Sequence, residues 1–213
     1  MKQGRVCVVD VDKLSNLDDF FEEAEVWLIK LLLPSYCGYT LWGRSLNNGD
    51  DILLSSIGKI IISKTTSTLF RFIKSQEGQT TIEAFKSAVE FKQLILSKEF
   101  YRLDLHAISY VEHDLVDVRY SVCENFNQPL NLHQCRYMLM CFNMLYDAGI
   151  TLNNKAIVSK LRRGQSELAD LMDVLTFITE DELSSELSRF DFLKICRLYK
   201  KLLREFDRNV IVV

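Results

Sequence analysis

The chain is poor in the residues that interrupt or cross-link a fold. Its 213 residues include only 2 Pro and 8 Gly, which leaves little material for linkers between domains. Asp10 and Lys30 interrupt the runs VCVVDV and VWLIKLLL, so neither approaches the roughly 20 apolar residues of a membrane-spanning helix. The six cysteines form no Cys-x-x-Cys pair and no Cys/His couple at zinc-finger spacing. These absences favour one soluble domain whose cysteines are small core residues in a reducing compartment.

The net charge and the N-terminal residues further restrict the expected kind of protein and its location. A formal net charge of −3 argues against a nucleic-acid-binding protein. The N-terminus has no basic region followed by an uninterrupted apolar one, so no secretory signal is predicted and the expected location is the cytoplasm. No motif for a cofactor or a metal is present, and we predict neither.

Periodicity predicts strands followed by helices. Apolar residues at helical spacing, ended by Pro34, predict an amphipathic helix over Asp18–Leu33. Thr65 can cap a short helix that ends at Ile73, and a capping box at Thr80 predicts another that extends to about Leu96. The predicted strands are Val6–Val11, Tyr39–Trp42, Asp51–Leu54 and Lys59–Ser63.

The rest of the chain is predicted to be mainly helical. Its predicted helices are Phe100–Ser121, Leu132–Gly149, Asn154–Arg162, Ser166–Ile178, Thr179–Leu187 and Arg189–Asp207. The first of these is ambiguous, because Tyr101, Leu103 and Leu105 alternate as in a strand, whereas the apolar residues that follow fit a helix better. The expected architecture is therefore a single compact α+β domain over residues 1–213. A small, mostly antiparallel sheet belongs to residues 1–75, and a larger helical part covers residues 80–208.

The helix at Leu132–Gly149 carries polar side chains within an apolar pattern. Arg136, Met140, Asn143 and Asp147 fall on one stripe of this helix. Burying Asn143 and Asp147 without partners would cost roughly 1 to 3 kcal/mol per group. We therefore expect neighbouring segments to hold this stripe, and we interpret it as structural.

Charge is distributed unevenly along the sequence. Between Asp10 and Glu25 seven acidic residues accompany one base, Lys13, so this segment has a balance of −6. The outer face of the last predicted helix carries six basic residues and two acidic ones, a balance of +4. The acidic segment is either a solvated face or a contact surface, and the two ends of the chain either pair or present separate surfaces.

Three candidate sites have simpler structural explanations. His113 and Asp117 would share one side of a helix, but no third metal ligand is evident. Cys135 or Cys123 with His133 is a weak signal for a thiol nucleophile and its base. Asn154–Ile178 resembles a helix-turn-helix unit around Gly164, the alternative function being a nucleic-acid-binding regulator. Its second helix, however, carries an acidic stripe that would repel phosphates: Glu167, Asp170 and Asp173.

The central helix resembles the pattern of small bacterial immunity proteins. Asn143 and Asp147 lie four residues apart in an apolar helix. The later segment Leu171–Phe177 contains a leucine, then an acidic residue, and then the triplet leucine-threonine-aromatic. The segments Tyr39–Trp42 and Gly58–Ser63 are compatible with the N-terminal half of that pattern. The resemblance covers Tyr39 to Phe177, and Phe142 stands where such proteins commonly have Trp. It points to an immunity protein of a contact-dependent growth inhibition system or a similar polymorphic toxin system.

This resemblance implies a function that is not enzymatic. Such a protein binds the C-terminal domain of a toxin delivered by a neighbouring cell and blocks its active site or substrate groove. Many of these toxins are nucleases, and a ribonuclease is our preferred partner. Acidic side chains would replace phosphates in the basic cleft of the toxin and raise the association rate. The predicted contact residues are Asp18, Asp19, Glu22, Glu23 and Glu25, with Glu167, Asp170 and Asp173 as a second surface.

Overall fold

A computed structural model describes residues 21–22, 24–97, 100, 108–118, 130–162 and 164–213. The predicted α+β class is confirmed. The predicted strand Val6–Val11 and the acidic residues Asp18, Asp19 and Glu23 lie outside the described residues. Over the part that is described, no helix is both long and apolar enough to cross a membrane.

Two sheets lie at the centre of the fold. The strands are β1 (Val26–Leu32), β2 (Cys37–Arg44), β3 (Asp51–Leu53), β4 (Ser55–Ser56), β5 (Lys59–Ile62), β6 (Val111–Asp114) and β7 (Val210–Val212). The first sheet has the order β3-β2-β1-β6 and the second the order β4-β5-β7. β6 pairs parallel to β1 and β7 parallel to β5, whereas the other pairs are antiparallel.

Helices cover both faces of these sheets. They are α1 (Thr66–Lys74), α2 (Gln76–Thr81), α3 (Ala88–Leu96), α4 (Leu132–Thr151), α5 (Lys155–Leu161), α6 (Glu167–Phe177), α7 (Leu183–Leu187) and α8 (Phe192–Asp207). One hydrophobic cluster joins Ile29 and Leu31 of β1 to helices α4 to α8. The other joins Val26 and Leu28 to helices α1 and α3. The first sheet thus separates two apolar layers.

The predicted helix over Asp18–Leu33 is wrong at its C-terminal half, which is strand β1. Val26 and Leu28 point to one cluster, and Ile29 and Leu31 point to the other. Because both faces of this strand are buried, its apolar residues are almost continuous, and this pattern also satisfies helical spacing.

Two further helix predictions fail for tertiary reasons. Within the predicted helix Phe100–Ser121, Val111–Asp114 is the edge strand β6. The capping box predicted at Thr80 does not start the long helix: Thr80 lies within α2, a short 3-10 helix follows over Ile82–Ala84, and α3 begins only at Ala88. The intervening backbone instead bonds to the end of β2: Leu46 N donates to Ala84 O at 2.9 Å and Lys86 N to Arg44 O at 2.8 Å.

Helix α4 is the central helix that the sequence predicts. It begins with a capping box in which the Asn131 side chain accepts from Gln134 N and the Gln134 side chain accepts from Asn131 N. It ends at Thr151, not at Gly149 as predicted. A Cβ at Gly149 would lie 2.7 Å from Cγ2 of Ile157, so the glycine allows α5 to pack closely on α4.

Helix α8 ties the C-terminal part to the sheets. It lies within the predicted helix Arg189–Asp207, its apolar face is buried, and the Tyr199 hydroxyl donates to Leu115 O at 2.8 Å. Lys59 Nζ donates to Arg208 O at 2.8 Å and so satisfies a carbonyl at the C-terminal end of α8. Strand β7 follows directly; its three residues are too few for a periodic signal.

Candidate functional site

Helices α6 and α7 form a corner on the surface of the helical layer. The Ser166 hydroxyl caps α6 by accepting from Ala169 N at 3.1 Å. After α6 ends, Thr179 N and Thr179 Oγ1 donate to Glu182 Oε2 at 3.3 and 2.7 Å. These bonds fix the turn between the two helices and hold Glu182 beside the end of α6.

A groove of about 310 Å³ lies in this corner. The aromatic ring of Phe177 stands in it and is 81% exposed. The buried residues of α6 and the following turn recur every three or four positions, and Phe177 falls outside that series. We call this site the acidic groove; it is lined by Asp173, Val174, Phe177, Ile178, Glu182 and Glu186.

The electrostatics of the acidic groove are strongly one-sided. The segment from Asp173 to Arg189 contains five carboxylates and one guanidinium, so it carries a charge of −4. Arg189 is bound to Glu186 within the segment. The C-terminal end of α6 also points here, and a helix C-terminus contributes roughly half a negative charge. An exposed ring in a groove that is also lined by three carboxylates suits a basic partner that also offers apolar surface.

Only one of the three acids predicted on α6 lines this groove. Glu167 accepts from Asp191 N and lies 3.8 Å from Lys194 Nζ, so it fastens α6 to the start of α8. Asp170 accepts from Gly164 N at 3.2 Å and closes the turn between α5 and α6. Asp173 remains as the predicted residue that the structure brings to the groove.

Of the five acidic residues predicted on the first surface, the structure describes two, Glu22 and Glu25. Glu22 is exposed, and it borders a different cavity together with Trp27 and Tyr110. Glu25 has a φ of 50° and its carboxylate lies 2.8 Å from Lys86 Nζ. The Lys86 hydrogen bond lowers the pKa of Glu25. Glu25 therefore shapes the start of β1, and it does not line the acidic groove.

The predicted polar stripe of α4 is buried at one position only. Arg136 and Asn143 are exposed, which contradicts the expected burial of Asn143. Asp147 is 9% exposed, and its Oδ2 accepts from Trp42 Nε1 at 3.1 Å. The Asp147 carbonyl accepts from Thr151 Oγ1 at 2.7 Å, and Thr151 Oγ1 accepts from Leu53 N at 2.9 Å. Asp147 thus joins the central helix to the sheet.

Burial makes Asp147 an unusual acid. It raises the pKa of the Asp147 carboxyl from 3.8 to about 7, and the nearby negative charge of Asp51 adds to this effect. The hydrogen bond from Trp42 acts in the opposite direction. Asp147 does not line the acidic groove, and we interpret it as a structural group that titrates near neutral pH.

The pairs His113/Asp117 and Cys135/His133 are not assembled, and Cys123, the other cysteine considered with His133, lies outside the described residues. His113 is a buried strand residue of β6, so it does not share a helix face with Asp117, and burial lowers its pKa to about 4. His133 is exposed whereas Cys135 is buried. Across the described ranges, no group of three or more His, Cys, Asp or Glu side chains is placed to hold a metal ion.

The cysteines are only partly the free thiols that were predicted. Cys135 and Cys141 are buried thiols, and Cys37 is an exposed one. Cys196, by contrast, is disulfide-bonded. Disulfide formation depends on the distance and direction between two sulfur atoms, which spacing along the chain does not determine.

Sequence reasoning missed Phe177, Glu182 and Glu186 as candidate site residues. A signal was present, because an aromatic residue outside the apolar period of a helix is followed by the acidic run Glu180–Glu182. The period of α6 shows only that Phe177 is off the buried face. That α7 folds back to place carboxylates beside it is a property of the tertiary structure.

Comparison with known proteins found a similarity of fold. No protein-family model and no curated protein sequence matches this chain. The chain is similar to the C-terminal domain of SatS, whose crystal structure was determined in complex with bromine. The TM-score is 0.55 and the identity 15%, with 92% of this chain and 97% of that chain covered. This similarity concerns the fold alone.

Proposed function

We propose that this protein is an immunity protein, which binds a cognate toxin domain in the cytoplasm and blocks its active site or substrate groove. The sequence resemblance suggests this class. The observation that carries the proposal is the acidic groove, which Phe177, 81% exposed, lines together with Asp173, Glu182 and Glu186. The expected partner is the C-terminal nuclease domain of a polymorphic toxin, with a ribonuclease preferred.

The charge of the groove fits a nuclease cleft. A cleft that binds a nucleic-acid backbone is basic, and carboxylates can occupy positions that phosphates would take. Complementary potentials raise the association rate toward roughly 10⁸ to 10⁹ M⁻¹s⁻¹ at low salt, and the rate falls as salt is added. The charge of −4 between Asp173 and Arg189 would supply this attraction.

The exposed ring supplies the apolar part of the contact. Binding energy at protein interfaces is concentrated in a few residues, and aromatic side chains in desolvated pockets are prominent among them. Burial of a phenylalanine side chain is worth about 1.5 to 3 kcal/mol. Phe177 would therefore be the central contact, with Asp173, Glu182 and Glu186 around it. Glu167 and Asp170 have structural roles in this proposal.

If the proposal is right, this gene should lie immediately downstream of a gene for a large toxin, and the C-terminal domain of that toxin is the partner to test. We expect that domain to bind this protein in calorimetry and to stop growth unless the two are expressed together. Phe177→Ala should weaken binding by about 2 kcal/mol, which is about 30-fold in Kd. The free energy of unfolding should stay within about 0.5 kcal/mol of the unsubstituted value, because the ring is exposed.

Leu96→Ala is the matched control, since Leu96 is 57% exposed on α3 in the other apolar layer. It should leave Kd unchanged. An upstream domain that neither binds this protein nor is neutralised by it would refute the proposed function. Binding that is equally tight for the Phe177→Ala and Leu96→Ala variants would instead place the interface away from the acidic groove.

A further inference from the structure

Helix α8 exposes a line of basic side chains that the proposed toxin contact does not use. Arg197, Lys201, Arg204 and Arg208 follow one another at steps of four, three and four residues, and all four are exposed. This spacing keeps them within one narrow face of the helix, over about 16 Å of its length. We call this set the basic stripe.

The acidic residues of α8 do not neutralise the basic stripe. Asp207 accepts from Ser35 N at 3.1 Å and from Ser35 Oγ at 2.6 Å, so it holds the turn between β1 and β2. Glu205 accepts from Asn154 Nδ2 at 3.4 Å and reaches Arg208 only at 4.0 Å. Over the described ranges, no carboxylate lies within 4.0 Å of the charged groups of Arg197, Lys201 or Arg204.

This arrangement costs stability. Like charges at i,i+3 and i,i+4 on a helix destabilise it, and the basic stripe contains three such pairs. The basic side chains are not needed to attach α8 to the protein, because the apolar residues on its opposite face are buried against the core. Among the described residues no carboxylate neutralises this row, and a polyanion that binds along it would do so.

We infer that the basic stripe binds the phosphate backbone of a polynucleotide. An anionic membrane is disfavoured because the apolar face of α8 is already buried and has nothing to insert. A protein partner is disfavoured because protein interfaces need an apolar centre. The exposed large hydrophobic residue of α8 is Leu193, which lies in its first turn beyond the end of the stripe. A row of four cations suits evenly spaced phosphates, without readout of the bases.

The number of cations sets the expected salt dependence. Four phosphate contacts give a slope of log K against log salt of about −3 on a single strand and about −4 on a duplex. On a single strand the affinity should therefore fall about 50-fold between 50 and 200 mM salt. This contact is independent of toxin binding, and it modifies the expectation from the net charge of −3, which averages over the whole surface.

Fluorescence anisotropy with a labelled 20-nucleotide RNA, and with a duplex of the same sequence, tests the inference in the absence of any toxin. The full chain should bind at 50 mM salt with the slopes given above. Arg204→Glu should weaken binding and make the slope shallower by about 1. Arg71→Glu is the matched control: Arg71 is also an exposed base in the last turn of its helix, α1, in the other apolar layer. It should leave both the affinity and the slope unchanged.

Three results would overturn the inference. The first is an absence of RNA and duplex binding at 50 mM salt. The second is an equal effect of the substitutions at Arg204 and Arg71, because the contact would then be diffuse. The third is displacement of the RNA by polyglutamate as effectively as by unlabelled RNA at equal charge, which would indicate an acidic protein partner. Arg204→Gln and Lys201→Gln, checked by circular dichroism, repeat the test without introducing a negative charge.

Discussion

Replacement of Asp147 by asparagine should make the protein more stable at alkaline pH than the unsubstituted chain. Asparagine has nearly the same shape, does not titrate, and keeps an oxygen that can accept the hydrogen bond from Trp42 Nε1. In the folded protein, burial and the charge of Asp51 raise the pKa of Asp147 to about 7 from 3.8. Ionised Asp147 is therefore costly in the fold, and the neutral amide of the variant would avoid that cost.

The size and sign follow from the two pKa values. A pKa that is higher in the folded state than in the unfolded state means that the folded state binds the proton more tightly. The stability contributed by protonated Asp147 is fully present below about pH 4 and is lost progressively as pH rises through about 7. At 1.36 kcal/mol per pH unit up to about pH 7, the loss between pH 5 and pH 8 is about 3 kcal/mol.

Urea unfolding at pH 5 and pH 8, followed by tryptophan fluorescence, measures this difference. The advantage of the Asp147→Asn variant over the unsubstituted protein should grow by about 3 kcal/mol between the two pH values. Asp181→Asn, at an exposed acid, is the control and should show no such growth. If the advantage were the same at both pH values, or if the Asp147→Asn variant were the less stable protein at pH 8, the account of Asp147 would be wrong.

Two smaller predictions concern the hairpin between β4 and β5 and the thiols. Ile57 is 90% exposed with a φ of 52°, and Gly58 follows with a φ of 68°. Because asparagine tolerates this left-handed conformation better than isoleucine, Ile57→Asn should raise the free energy of unfolding, measured with urea, by about 1 kcal/mol. A loss of stability would show that the isoleucine side chain has a packing role. With iodoacetamide at pH 8, peptide mapping should find Cys37 modified well before Cys135 and Cys141, because Cys37 is exposed whereas burial raises the pKa of the other two thiols to about 11 and about 12. Equal modification rates at the three sites would contradict the burial of the α4 thiols.

Helices with one apolar stripe could be predicted from the sequence. Helix α8 lies within its predicted range and ends at Asp207 as predicted, and the capping residues Thr65, Asn154 and Ser166 begin the helices that follow them. These features depend on residues a few positions apart, so local spacing contains the information. Strand β1 could not be predicted in this way, because a strand buried on both faces has no alternation of polar and apolar residues to distinguish it from a helix.

Some features of the candidate site could likewise be predicted from the sequence, and others could not. Sequence alone determined that Asp147 lies in an apolar helix and needs a partner, and that charge is concentrated in particular segments. Only the tertiary structure decided that Trp42 is that partner, because β2 and α4 meet through packing of residues 105 positions apart. It also decided where the acids of α6 lie: Glu167 accepts from the amide of Asp191 at the start of α8, Asp170 accepts from the amide of Gly164 in the turn before α6, and Asp173 lines the groove with Phe177. Charge can be counted along a chain, but whether a charge is available for a partner depends on which groups folding brings within hydrogen-bonding distance of it.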